Sequence, residues 1–330
     1  VFASMLMAGI SGSTTADVAS EGSMIIPSME KAGYDRAYAT AITAASATIG
    51  SIIPPSILMV LYGSITGISI GKLFVSGIVP GVIIGITQMI YGYYKAKQNP
   101  EKYDGTPIEF TWNNLWHSFL NAIPALIMPL IIIGGILTGV FTATEAGAIA
   151  SAYGLLVGIF IYREFTSKDI VPTILSSAKT TGASMMIVAS AMAFSWILAK
   201  EGFPSYVASI LAMFDNGYVI YTMMIFIMII IGCFMDTTAA AIIMVPIFAP
   251  IADSLGLDPV HFGLVMVLTF VLGGITPPVG VTIYVASAVG KVRLNDLLRE
   301  MWPFIIMFFA IIMLVAFVPA IAMTLPNMLK

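Results

Sequence analysis

Gly50-Ser51-Ile52-Ile53-Pro54-Pro55 lies in the middle of a charge-free stretch from Ala37 to Gly71, and Gly273-Gly274-Ile275-Thr276-Pro277-Pro278 lies within another, from Phe262 to Gly290. Proline has no N–H to donate and its ring crowds the preceding turn, so two in a row after glycine predict an unwound joint partway along each stretch. Outward from these joints, the chain repeats itself without a gap at an offset of 223 residues. Thr14-Thr15 falls on Thr237-Thr238, Pro27 on Pro250, Gly33-x-Asp35 on Gly256-x-Asp258, and Pro80 on Pro303. A unit of about 70 residues in only two copies does not fit a stacked solenoid. Duplicated halves with matching helix breaks point instead to a membrane transporter.

Composition places the chain in a bilayer: 59% of residues are apolar and 9% charged, with a mean hydropathy of +0.99. Other charge-free runs cover Leu73 to Tyr94, Ser118 to Thr144, Thr180 to Ala199, Asn216 to Met235 and Met301 to Leu329. Each exceeds the roughly 18 residues that mark a membrane-helix candidate. Ala146 to Tyr162 is slightly shorter, but a capped start and flanking charge make it a further span. The single cysteine, Cys233, excludes an internal disulfide framework and reads as a buried, inert thiol. Without a basic tract or a Walker sequence, nothing points to nucleic acid or to ATP hydrolysis by this chain. Charge-free sequence is already under way at Val1, so the chain reads as part of a longer protein, and no signal peptide can be argued from it.

The expected path is as follows. Val1 to Gly12, a polar tip at Ser13 to Thr15 and a return to Glu30 form one re-entrant hairpin. Tyr218 to Met235, a tip at Asp236 to Thr238 and a return to Asp253 form the second. Non-helical backbone at membrane depth survives only against protein or water, which suits such tips. A broken helix and one further span, Leu73 to Tyr94 or Met301 to Ile321, follow each hairpin. Phe119 to Phe141, Glu145 to Tyr162 and Thr180 to Ala199 complete five crossings between the hairpins, and an odd number inverts the repeats. Positive charge tests this path, because cytoplasmic loops collect it. One side receives 11 of the 14 lysines and arginines, and the other only Lys72, Lys200 and Lys330. The first hairpin then opens to the cytoplasm, and the second, with Asp253, Asp258 and His261, to the outside. Pro107 to Phe119 and, more weakly, Glu164 to Ala178 fit helices lying in the interface, or plain connectors.

The expected fold is an all-α polytopic membrane protein of inverted repeats, with two re-entrant hairpins and two broken helices. Its tips and joints offer hydroxyl, carboxylate and freed carbonyl oxygens, which suit a small hard cation such as sodium. One cation site is expected from Ser13, Thr14 and Thr15 with Gly50, Ser51 and the carbonyl of Ile53. Its mirror uses Asp236, Thr237 and Thr238 with Gly273, Gly274 and Thr276. Helices starting after the tips and joints aim unpaired N–H groups toward the midplane, which favours an anionic solute. Its expected ligands are Ser13, Thr14, Asp17, Ser56, Thr276 and Gly280. The plainer reading of the hydroxyls is helix capping. Asp17, with Glu21 four residues on, is either functional or a cap for its own hairpin. Glu145 with Thr142 spells a capping box, and Arg36 reads as a loop anchor at the membrane surface. His117 and His261, both placed in surface segments, supply neither a hydrolytic triad nor a metal cluster.

At these residues the chain resembles the large membrane subunit of tripartite ATP-independent periplasmic (TRAP) transporters, the DctM type. The likeness runs from about Gly9 to Ile321. It rests on Gly-x-Ser-Gly-Ser at Gly9 to Ser13, Ile52-Ile53-Pro54-Pro55-Ser56, Gly77-Ile78-Val79-Pro80-Gly81, Thr142-Ala143-Thr144-Glu145-Ala146-Gly147, Met235-Asp236 with Pro246 and Pro250, and Gly274-Ile275-Thr276-Pro277-Pro278-Val279-Gly280. Family members carry further N-terminal helices. The resemblance implies a sodium-driven importer of carboxylate solutes in the bacterial inner membrane, such as a C4-dicarboxylate or sialic acid. It also implies a periplasmic substrate-binding protein and a small membrane subunit as partners. An elevator-type fold is implied as well: a transport domain of residues 1–67 and 220–290 moves on a scaffold of residues 68–219 and 291–330. A proton-coupled carrier using Asp17 or Asp236, a channel and an intramembrane hydrolase are the competing readings.

Overall fold

The computed structural model describes residues 1–100, 111–211, 213–214 and 216–329. Every element among them is helical. Among the described residues, seven helices are long and apolar enough to cross a membrane, which makes this a multi-pass membrane protein. The chain forms two compact units, one of residues 1–106 and 197–330 and one of residues 107–196.

The larger unit opens with α1 (Phe2–Ser11) and α2 (Thr14–Lys31), a helical hairpin with a two-residue tip. Then comes α3 (Arg36–Ala47), prolonged by a 3₁₀ turn over Thr48–Ser51. After the joint come α4 (Ile57–Thr66) and the long α5 (Ile70–Gln98). The second copy is α10 (Gly217–Phe234), α11 (Thr237–Ser254), α12 (Pro259–Gly274), α13 (Val281–Gly290) and α14 (Leu294–Phe317). α2 and α11 are both 18 residues long, and both proline pairs hold a cis peptide bond. A short α15 (Ala320–Met323) closes this unit.

Local chemistry explains these boundaries. Gly33 and Gly256 adopt positive φ, and two residues later Asp35 and Asp258 cap the next helix. Asp35 accepts from Tyr38 N at 3.0 Å, and Asp258 from Val260 N at 2.8 Å and His261 N at 3.0 Å. α12 is apolar all round and is buried from Val260 to Gly274, as a central helix should be. α3 achieves similar burial with small residues, Ala39, Thr40, Ala41, Thr43, Ala44 and Ala45, which let neighbouring backbones come close.

The packing crosses between the copies. α2 lies on α13 and α11 on α4, while α14 lies on α3 and α5 on α12. Gly77 and Gly81, one turn apart on α5, seat the first joint: a methyl on Gly77 would stand 2.2 Å from Ile52 O, and one on Gly81 2.5 Å from Ile53 Cγ1. Arg36 anchors its loop as expected, donating from Nε to Gly290 O at 2.7 Å and pairing with Glu30 at 2.7 Å. Lys95 of α5 forms an ion pair with Glu300 of α14, beside the Tyr38 ring of α3.

In the smaller unit, α6 (Trp112–Leu137) packs on α7 (Ala143–Leu156), whose start is the expected capping box. Glu145 Oε2 accepts from Thr142 N at 2.8 Å. α8 runs unbroken over Ser167–Lys200, and α9 (Phe203–Leu211) follows in the larger unit. Two expectations change here. Trp112 to Phe119 continues directly into α6, and Ser167 to Ala178 is the first part of α8, so neither is a separate interfacial helix. No glycine or proline pair stands at either junction, so nothing stops the helix. The 34 residues of α8 span about 50 Å against a hydrocarbon core of about 30 Å, which leaves its charged first turns outside the lipid. Residues 107–110 of the first expected segment lie outside the described residues.

Candidate functional site

The first tip sits on the first joint. Gly12 takes a φ of 66°, and its carbonyl accepts from Ile57 N at 3.3 Å. A side chain there would meet Pro55 O at 2.8 Å, so glycine is needed for conformation and for space. Thr14 is knotted to the 3₁₀ turn: its N–H donates to Ser51 Oγ at 2.9 Å and its hydroxyl lies 2.8 Å from the same oxygen. Ser56 Oγ donates to Ser51 O at 2.6 Å and accepts from Met59 N, capping α4. Ser13 and Thr15 hydroxyls lie 3.2 Å apart on the tip. Thr14, Ser51 and Ser56 thus form one hydrogen-bonded cluster at the joint, Ser13 and Thr15 form a separate pair on the tip, and Ile53 is half-buried.

The second tip is seated the same way, by Gly280 N donating to Cys233 O at 2.9 Å. Asp236 caps α11, with Oδ1 accepting from Thr238 N at 2.9 Å and Ala239 N at 3.4 Å. Gly280 has a φ of 51°, and a methyl on it would meet Thr276 O at 2.8 Å and Gly274 O at 3.2 Å. Two main-chain oxygens therefore converge at this joint. Thr276 Oγ1 donates to Leu272 O at 2.6 Å, which leaves its lone pairs free to accept. The Thr237 methyl packs against Gly274. Gly273 crosses Gly232 of α10, backbone to backbone.

Pro54 and Pro55 would be the helical donors to the Gly50 and Ser51 carbonyls, and Pro277 and Pro278 to those of Gly273 and Gly274. None has an N–H, so the Gly50 and Gly274 carbonyls lose their helical donors, while Ser51 O accepts from Ser56 Oγ at 2.6 Å and Gly273 O from Thr276 N at 3.0 Å. Asp17 is 3% exposed and faces Gly50. Glu21, one turn on, is 6% exposed with neither oxygen hydrogen-bonded. His261 departs from expectation. It is 2% exposed, not at a surface, because Asp258 caps its helix and Nε2 meets Val315 O at 2.9 Å. A cleft of about 450 Å³ lined by Tyr62, Thr66, Pro246, Asp253 and Phe262 contains none of the expected site residues. Sequence reasoning missed Gly232 and gave no role to Gly12, Gly77 and Gly81, although these three lie in the motifs that carry the resemblance.

Two helical hairpins, each seated on an interrupted helix among apolar, membrane-length helices, define a multi-pass membrane protein with two matching tip-and-joint seats. The family of the tripartite ATP-independent periplasmic transporter, DctM component, matches residues 1–321. The chain belongs to that family, and it is a transporter component, not an enzyme. It is 37% identical over 330 residues to the C4-dicarboxylate TRAP transporter large permease of Pseudomonas aeruginosa, covering 100% of this chain and 77% of that one. The 2,3-diketo-L-gulonate TRAP transporter large permease of Escherichia coli K12 is 35% identical over 322 residues, covering 97% and 75%. The sialic acid TRAP transporter large permease of Vibrio cholerae is 35% identical over 329 residues, covering 99% and 76%.

Proposed function

We propose that the chain performs sodium-coupled uptake of a small carboxylate-bearing solute across the bacterial inner membrane. A periplasmic substrate-binding protein hands the solute over, and a small membrane subunit completes the carrier. The observation that carries this reading is the seating of both tips on their joints, through Ile57 N to Gly12 O and Gly280 N to Cys233 O. Each seat gathers hydroxyl or carboxylate oxygens with carbonyls that proline has freed, the ligand set of a small hard cation. The first cation takes Ser13, Thr15, Gly50, Ser51 and Ile53, and the second Asp236, Thr237, Thr238, Gly273, Gly274 and Thr276. The solute carboxylate lies between them, near Ser13, Thr14, Ser56, Thr276 and Gly280, facing the amide ends of α2, α4, α11 and α13. The solutes named for the three relatives above are all carboxylic acids, which supports this class.

In this reading the hairpins enter from opposite sides and the two copies are inverted, with five crossings between them. The bundle works as an elevator. α5 packs on α12, and α14 packs on α3 with Lys95 and Glu300 paired beside Tyr38. Such packing favours α5 and α14 travelling with the hairpins. The moving body then extends beyond residues 1–67 and 220–290, and the fixed part centres on α6, α7 and α8.

The test is uptake into proteoliposomes holding the permease with its small subunit, supplied with the loaded binding protein. An inward sodium gradient alone drives accumulation, and Thr15→Val and Thr238→Val each raise the sodium concentration for half-maximal uptake about tenfold, the effect of losing roughly 1.4 kcal/mol of ligation. Uptake driven by a proton gradient and indifferent to sodium would overturn the reading in favour of a proton-coupled carrier.

A further inference from the structure

The loop that joins α13 to α14 closes, against the start of α3, a cleft of about 550 Å³ that takes no part in either tip-and-joint seat. Arg36, Lys291, Arg293 and Arg299 line it, together with Asp35, Asp296 and Glu300. Most of the acids are occupied elsewhere. Asp35 caps α3 by accepting from Tyr38 N at 3.0 Å, and Glu300 is paired with Lys95. Arg36 is held by Gly290 O and Glu30. Among the described residues, these two pairs are the ion pairs, so Lys291, Arg293 and Arg299 remain, against Asp296 alone.

The other copy shows that the cleft and its charge have separate origins. At the offset of 223 residues, Arg36, Lys291, Arg293 and Arg299 correspond to Pro259, Ile68, Ile70 and Ser76. Pro259 and Ile68 line the cleft beside Tyr62, so the fold opens a groove at each of these two corners and makes only one of them cationic. Positive charge in a cytoplasmic loop orients a membrane protein wherever along the loop it stands. Here Arg299 lies in the second turn of α14, outside the loop, and Lys291 is held at a φ of 49°, a left-handed conformation that suits glycine better. Arg299, Trp302 and Ile306 share one face of α14 by their spacing of three and four residues, and all three are exposed. That face runs from a cation through an interfacial aromatic ring to an apolar side chain, the order in which a phospholipid presents its phosphate, glycerol and acyl chains.

We propose that this cleft binds the phosphate headgroup of an acidic phospholipid, with its acyl chains along the Trp302–Ile306 face of α14. The headgroup then bridges α3, α13 and α14 and relieves the repulsion among Lys291, Arg293 and Arg299. The site is independent of sodium coupling; its place in the cytoplasmic leaflet rests on the orientation proposed above.

The experiment is thermal unfolding of the purified permease with its small subunit, delipidated in a neutral detergent and titrated with phosphatidylglycerol, phosphatidylcholine of the same chains, or inorganic phosphate. Phosphatidylglycerol raises the melting temperature of wild type, and the other two do not. Lys291→Gly removes a cation and the left-handed strain together. Without lipid it melts at or above wild type, yet it needs about fivefold more phosphatidylglycerol for half the shift. Arg293→Gln combined with Arg299→Gln raises that midpoint about twentyfold, whereas Lys72→Gln, at the far end of α5 from Lys95, leaves it unchanged. Equal stabilisation by phosphatidylcholine, or a phosphatidylglycerol midpoint unchanged in both Lys291→Gly and the double variant, overturns the proposal. Stabilisation by inorganic phosphate as large as that by the lipid assigns the cleft to a free anion and overturns it too. None of these readouts involves sodium or uptake, so failure here leaves the transport reading standing.

Discussion

The crossing of α10 and α12 can be tested with one methyl group. On Gly273 it would stand 2.7 Å from both Cα and the carbonyl carbon of Gly232, and 3.0 Å from Ile229 O. Non-bonded carbons settle at about 3.5 Å or more, so the helices must part by nearly 1 Å. All three obstacles are main chain, so no rotamer change gives relief. α12 is buried along almost its whole length, so the shift is passed to its neighbours. Overpacking costs about 1–3 kcal/mol, and rigid obstacles place Gly273→Ala near the top of that range. The reciprocal Gly232→Ala meets Gly273 Cα at 3.2 Å and Phe270 O at 3.4 Å, needs a few tenths of an ångström, and costs about 1 kcal/mol. Both alanines gain the same helix propensity, so the difference between the variants isolates the clash. In a fluorescence-detected melt in detergent, at about 2 °C per kcal/mol, Gly273→Ala falls by about 6 °C and Gly232→Ala by about 2 °C. A Gly273→Ala protein as stable as wild type, or less harmed than Gly232→Ala, refutes close helix approach as the reason for this glycine.

Three further outcomes follow from single hydrogen bonds. Ser51→Ala leaves the buried Thr14 N–H without its acceptor, so stability drops by about 1–3 kcal/mol in the same melt, whereas Ser51→Thr retains most of it. Asp236→Ala removes the cap of α11 at a cost of about 1 kcal/mol and speeds hydrogen exchange at the Thr238 and Ala239 amides; Asp236→Asn, which keeps an acceptor oxygen at the same place, restores protection. Tyr62→Phe deletes the hydroxyl that donates to Pro259 O at 3.1 Å, and lowers stability by about 0.5–1.5 kcal/mol, while a melt unchanged within error would show that link to be idle.

Much of the fold was legible because breakers and caps are local. Proline pairs marked the joints and Thr142 with Glu145 marked a cap, each through chemistry confined to a few residues, whereas Gly33-x-Asp35 and Gly256-x-Asp258, read only as matching positions of the repeat, prove to be helix starts. The interfacial segments were misread because polar composition without a breaker does not end a helix, and α6 and α8 ran on. His261 looked superficial because its neighbours in sequence are Asp258 and Pro259, while the residue that buries its ring, Val315, is remote. The tips were recognised as polar, but the seating of Gly12 on Pro55 and Ile57 depends on contacts 43 or more residues apart, which spacing alone does not encode.

The exchange of partners between the copies, α2 with α13 and α11 with α4, bears on how this chain can be cut. Each half also packs within itself, α2 on α3 and α10 on α12, but these cross-copy contacts join the two halves without help from the polypeptide link between them. A nick between residues 99 and 216, with both pieces supplied separately to one bilayer, should yield fragments that find each other and rebuild the bundle, much as two genes could once have supplied what one now encodes.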